Sequence, residues 1–374
     1  MEILVNRKRI ENEFAELVSV DALSFGERHI ADILTDKLKA IGFEVYEDSA
    51  GNAYGGNAGN IYGYLPGSAN GDPVLFSAHM DTVSPGIGKK TIFHDDGMIT
   101  SEGDTVLGAD DVSGLTEILE GIRCIKESGT AHRAVEVLFP IGEEVYLKGT
   151  DKFDFGKIKA KEAYVLDLSG DVGSAAVCAP SLISFQAEIT GKAAHAGFAP
   201  ENGVHAVSVM SKAISRLKQG HIDEETTFNI GTIGGGTATN IVPEKCVCTG
   251  EVRSFRHDKA LAQIEEMEKI FSEEAECASA EFSIDVIVHM EAYRVPENAP
   301  VTKRFLKSCE TLGFDGKLVS TFGGSDNHNF MKHGISGIVL SCGMYDVHSV
   351  HEYTKTEELI KGAELVAQLI LAEK

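Results

Sequence analysis

Apolar residues in the first half of the chain follow two rhythms. In "RIENEFAELVSV" and "GERHIADILTDKLKAIG" they recur at helical spacing, which predicts amphipathic helices, the second closed by Gly42. Between such segments lie short apolar runs, "NIYGYLPG", "PVLFSAHM", "AVEVLFPIGEE" and "AYVLDLSG", that read as strands. "SGLTEILEGIRCIKESG" reads as a helix between two of them. Strands alternating with helices predict an α/β fold built on a mixed, mostly parallel sheet covered on both faces.

Near residue 180 the rhythm changes. "SLISFQAEITGK" alternates, "NGVHAVSVMSKAISRLKQG" is helical, and "TTFNIGTIGGG" and "EKCVCTGEVRSF" alternate again. A further helix, "DKALAQIEEMEKIFSEEAECA", then precedes the strand "EFSIDVIVHMEA". That order, βαββαβ, is the split unit of ferredoxin-like folds. The α/β pattern resumes with "VTKRFLKSCETLGF", "GISGIVLSCG" and a helix from Thr356. The chain of 374 residues exceeds the size at which a single core stops growing. We therefore expect one domain formed by residues 1–178 and 293–374, with a smaller domain, 179–292, inserted into it.

Composition narrows the function classes. Hydrophobic residues make up 43% of the chain, ample for a core, and the formal net charge is −23. That charge argues against nucleic acid or an anionic membrane as partner. The seven cysteines are scattered, with no C-x-x-C pair, and read as reduced core residues rather than a disulfide frame. The first twenty residues lack the apolar stretch of a signal peptide, and no run approaches the ~20 apolar residues of a membrane span. A cytoplasmic location is expected.

The unusual polar residues gather where strands end. His79 and Asp81 follow "PVLFSA", Glu143 and Glu144 follow "VLFPIG", and Asp167 closes "AYVLD". Asp110 and Asp111 stand just before a helix, and "SVHEYT" supplies His351 and Glu352. Any one of these alone reads as a cap, a turn residue or a solvated corner. Together they are harder to dismiss, because open α/β sheets bind ligands beyond the carboxyl ends of their strands. Buried like charges also require a compensating cation. Imidazoles with carboxylates suit zinc, with manganese or cobalt as substitutes, and the lack of cysteine suggests a catalytic rather than a structural site.

"HMDTV", "GADD", "GEE", "LD", "GKAAHAG", "TNIVP", "GGSDNH" and "HSVHE" occur in an order and spacing that resembles the di-zinc peptidase family of peptidase T, aminoacylases and carboxypeptidase G. The resemblance covers nearly the whole chain and looks closest to the peptidase T branch of aminotripeptidases. It implies that His79, Asp110 and Asp167 hold one zinc, and that Asp110, Glu144 and His351 hold the other. It gives Asp81 the task of orienting His79, Glu143 that of general base, and His195 that of stabilising the oxyanion. Asn240 and Arg253 would bind the main chain and carboxylate of the substrate. A cis peptide bond between Asp110 and Asp111 is implied as well, as is a homodimer formed through the inserted domain in which His195 reaches the partner's site. The implied reaction is release of the N-terminal residue from short peptides, with tripeptides favoured. An N-acyl-amino-acid amidohydrolase or a carboxypeptidase on the same scaffold is the alternative. A metal-binding scaffold without catalysis is disfavoured by the presence of Glu143 beside the full ligand set.

Overall fold

A computed structural model describes residues 4–371. The chain divides into two compact units. The first runs to Val177 and resumes with Arg294–Ser320 and from Ser325 onward, and the second comprises Cys178–Tyr293 with Thr321–Gly324.

The first unit is built on a nine-stranded mixed sheet. Its centre is four parallel strands in the spatial order Val135–Phe139, Val74–Ser77, Glu162–Leu168 and Ser336–Ser341. Nearly every residue of these strands is buried, as continuous apolar runs covered on both faces demand. Antiparallel strands flank the centre, Ile61–Leu65 and Glu44–Glu47 on one side and Ser174–Ala179 on the other. The Ala109–Ser128 helix is buried over most of its length and packs on the Thr356–Ile370 helix. Two glycines permit that approach. A Cβ on Gly121 would stand 2.6 Å from the Ala363 carbonyl oxygen, and one on Gly362 would stand 2.0 Å from the Glu117 carboxyl carbon. Gly42 does end the Arg28–Ile41 helix, in the left-handed conformation that glycine adopts without steric cost. A small antiparallel sheet of Thr91–Phe93, Met98–Ser101 and Tyr353–Lys355 was not expected from the sequence.

In the second unit the antiparallel sheet runs Gly220–His221, Thr226–Gly235, Lys245–Ser254, Ser181–Thr190 and Glu281–Met290. With the helices Ala206–Arg216 and His257–Ala278 this is the expected βαββαβ arrangement. Alternate strand residues Ile183, Phe185, Ala187 and Ile189 meet Met210 and Ala213 of one helix and Met267 and Phe271 of the other in a single apolar core. The seven cysteines are free, and only Cys277 is exposed. Among the described residues no helix is long and apolar enough to cross a membrane.

Candidate metal centre

Because the four central strands are parallel neighbours, their carboxyl ends share one edge of the sheet. Val74–Ser77 leads into His79 and Asp81, Val135–Phe139 into Glu143 and Glu144, and Asp167 ends Glu162–Leu168. Asp110 and Asp111 enter at the head of the Ala109–Ser128 helix, where both have non-helical backbone angles and the bond between them is cis. Two groups of donor atoms result, His79 with Asp110 and Glu144, and His79 with Asp111 and Asp167, each within 4.8 Å of one another. The His79 Nε2 lies 3.0 Å from Asp110 Oδ1 and 4.0 Å from Asp167 Oδ1.

The histidine of the last loop differs from the one expected. His348 brings its Nε2 to 3.0 Å from Glu144 Oε1 and 3.2 Å from Asp110 Oδ2. His351 is exposed like His348, and its backbone N–H is bonded to Ser349 Oγ; what separates the two is the approach of His348 to Glu144 and Asp110. Asp346 and His348 both have positive φ in this loop, and His348 rather than His351 faces the carboxylates.

Around this cluster stand buried carboxylates that bind mostly backbone N–H groups. Asp81 accepts from the backbone N–H of Glu143 at 2.9 Å and of Glu144 at 3.3 Å, and from Ser24 Oγ at 2.6 Å. Its own carbonyl oxygen, 2.8 Å from His79 Nδ1, orients that imidazole, whereas the carboxylate is 3.6 Å away. Asp111 accepts from His79 N at 3.1 Å and Gly114 N at 3.3 Å. Glu27 accepts from Gly142 N at 3.0 Å, and Glu352 from Gly108 N and Asp110 N at 2.6 and 2.9 Å. Ser24 and Glu27 escaped the sequence reading, since nothing near them signals a site 115 residues downstream.

Electrostatics calls for positive charge here. Burial pushes the carboxyls of Asp111, Glu143 and Asp167 well above their ordinary range, and neighbouring carboxylates add to it. Burial opposes ionisation of Asp110 too, but hydrogen bonds from His348 and His79 hold it far below that range. His348, bonded to Asp110 and Glu144, is pushed up to about 11. Two imidazoles near the carboxyls of Asp110, Asp111, Glu144 and Asp167 make a donor set of nitrogen and oxygen that divalent cations fit.

The remaining predicted residues belong to the second unit. His195 is exposed, and its Nδ1 accepts from the backbone N–H of Gly197 and Phe198, both at 3.1 Å. A neutral imidazole held this way carries its proton on Nε2. The exposed Asn240 is tied in by its carbonyl oxygen, which accepts from Ala196 N at 3.0 Å, so the His195 and Asn240 loops run side by side. Arg253 is engaged within its own unit, its Nε 2.9 Å from Glu251 Oε1 and its Nη1 2.8 Å from the Phe322 carbonyl oxygen.

Known proteins resemble this chain over nearly its whole length. The profile of the peptidase dimerisation domain matches residues 180–278, and that of peptidase family M28 matches residues 60–212. The uncharacterized protein YqjE of Bacillus subtilis (strain 168) is 37% identical over 98% of this chain and 99% of its own. The crystal structure of aminopeptidase PepT from Bacillus cereus is 39% identical, with a TM-score of 0.93 and 98% of each chain covered. The chain belongs to the peptidase T family. A tripeptidase from Staphylococcus aureus, 34% identical with a TM-score of 0.95 over 98% of each chain, extends the likeness within that family. As a peptidase T-type metallopeptidase, the chain has its buried donor cluster at the sheet edge where the parallel strands end.

Proposed function

We propose that this protein is a di-zinc aminopeptidase that removes the N-terminal residue of short peptides, tripeptides above all. The observation that carries the reading is the adjacency of Glu144, which faces His348 and Asp110, and Glu143, buried beside it and in neither donor group. The similarity to an aminopeptidase and a tripeptidase supports the substrate class.

In this reading His79, Asp110 and Asp167 hold one ion, and Asp110, Glu144 and His348 the other, with His348 in the place first given to His351. Asp111 is passed over because its oxygens are engaged by the backbone of His79 and Gly114. Zinc, or manganese or cobalt in its stead, would supply Lewis-acid polarisation of the scissile carbonyl and a more acidic attacking water. Glu143 takes the proton of that water and delivers it to the departing amine. Asp81 fixes the backbone from which Glu143 and Glu144 project. His195 offers Nε2–H to the developing oxyanion. Asn240 binds the substrate main chain, and Arg253 exchanges its bonds to Glu251 and Phe322 for the substrate carboxylate.

The protein acts as a homodimer in the cytoplasm, His195 of one protomer serving the centre of its partner. The edge strand Glu281–Met290 supports the dimer: it exposes Val286, Ile287 and Val288, an apolar strip suited to a second copy. A hydrolysis panel on zinc- or manganese-loaded protein tests the substrate class. Ala-Ala-Ala should be cleaved to alanine and Ala-Ala, faster than Ala-Ala itself and with N-acetyl-alanine untouched. Preferential cleavage of N-acetyl-alanine would establish the amidohydrolase alternative instead.

A further inference from the structure

Glu352 is the buried carboxylate whose placement has the most specific consequence. Its side chain accepts two backbone N–H groups, one per oxygen, from Gly108 and Asp110, 244 and 242 residues away in the chain. Gly108 is left-handed at φ 77, and the Ala109–Ser128 helix starts from it, so the carboxylate grips the head of the helix that presents Asp110. From the other side the stem of Lys89 closes on Gly108, its Cε 3.1 Å from where a Cβ would stand. The Lys89 ammonium is anchored to the carbonyls of Val20 and Gly86 at 3.1 and 3.0 Å. The same loop that carries Glu352 carries His348, whose imidazole faces the Asp110 carboxylate at 3.2 Å.

We propose that Glu352 is a positioning residue for the metal centre, setting the distance between Asp110 and His348 and through it the affinity for the ion those two share. The proposal rests on the metal reading given above. A helix cap would satisfy the same two N–H groups from any nearby side chain. Here the cap comes from the loop of the facing histidine, so the tie joins two donor-bearing segments that no other contact of Glu352 requires. A glutamine at this position keeps the shape but offers one accepting oxygen and turns an N–H donor toward another. The Asp110 turn is then released from the His348 loop without removal of either donor.

The test titrates zinc into metal-stripped full-length protein against a chromophoric chelator, for the wild type, Glu352→Gln, Glu352→Asp, His348→Ala and the double variant Glu352→Gln/His348→Ala. Glu352→Gln should weaken binding of the affected zinc by about 10–100-fold, the usual effect of losing a group that orients metal ligands. The circular dichroism of the metal-free protein should stay that of the wild type. In the His348→Ala background the same substitution should cost little further affinity, because the distance it sets no longer matters. Wild-type affinity in Glu352→Gln, or losses that simply multiply in the double variant, would overturn the proposal. If Glu352→Gln does not fold, Glu352→Asp keeps the charge and draws it back by one methylene. Reduced affinity in a folded Glu352→Asp then supports the proposal, and unchanged affinity overturns it. Absence of zinc binding by the wild type is a separate result that refutes the metal reading itself.

Discussion

In the first unit His79, Asp110, Glu144 and Asp167 are largely buried while His348 faces them from the surface, and further buried carboxylates grip the backbone beside them. In the second unit His195 and Asn240 stand exposed on loops, and Arg253 lies half-buried on a strand, all three carried by a sheet with a closed apolar core. The first unit concentrates charge that its own packing disfavours, so the geometry of its site depends on many mutually supporting bonds. The second keeps its core free of that burden, and its exposed His195 is held by short backbone contacts to Nδ1. Buried charge therefore ties stability to chemistry in one unit, while the other can change its surface loops at little cost to its fold.

Substitutions that leave shape intact can break this contrast. The largest effect is expected at Glu143→Gln, which should lower kcat by roughly 10²–10⁴ while metal content stays at the wild-type level. Glu144→Gln, identical in chemistry one residue on, should lose metal as well as rate. Elemental analysis beside steady-state kinetics separates the two, and the opposite pattern would reverse their assignment. Next comes His195→Ala, which should cost about 10²–10³ in kcat, as removal of an oxyanion donor does. Its metal affinity and melting temperature should match the wild type, because His195 is exposed and outside the buried cluster. A drop in metal content in this variant would end the division of labour between the units.

The smallest effect concerns Glu117, buried on the Ala109–Ser128 helix with neither carboxyl oxygen hydrogen-bonded. Burial, and then the nearby Glu358 carboxylate, raise its pKa well above the ordinary 4.5. The folded protein thus keeps a proton that the unfolded chain releases above that pH. From this group alone stability is undiminished below pH 4.5 and falls by about 1.4 kcal/mol per pH unit above it, until the raised folded value is reached. Glu117→Gln should flatten that slope and raise the melting temperature at pH 8 by a few degrees. Melting curves of both proteins from pH 5 to 8 check it, and parallel slopes would show that Glu117 does not keep its proton.

Much of this organisation was legible in the sequence because burial imposes periodicity. The four parallel strands announce themselves as apolar runs, and the polar residues at their ends stand out against them. The inserted βαββαβ order was equally plain. What was not legible lies where no periodicity operates. His348 and His351 are three residues apart in one irregular loop, and only the backbone turn decides which faces Glu144. The signal lay in Glu352, whose bond to Asp110 brings the loop toward the donors, but a bond spanning 242 residues leaves no local pattern. Asp81 was rightly singled out as unusual, yet its carboxylate holds the Glu143–Glu144 backbone, a partner that spacing to His79 could not suggest. The small sheet that pairs Met98–Ser101 with Tyr353–Lys355 was missed for the same reason.

The insertion of one unit within the other also sets an order of events on the ribosome. Residues Cys178–Tyr293 emerge as an uninterrupted stretch, so their sheet can close while the first unit still lacks Ser336–Ser341, one of its four parallel strands. Translation of that stretch takes on the order of ten seconds. Throughout it the nascent chain already carries His79, Asp110, Glu144 and Asp167 but neither His348 nor Glu352. The candidate donor cluster is therefore complete only near the end of synthesis, once the loop that carries His348 has emerged.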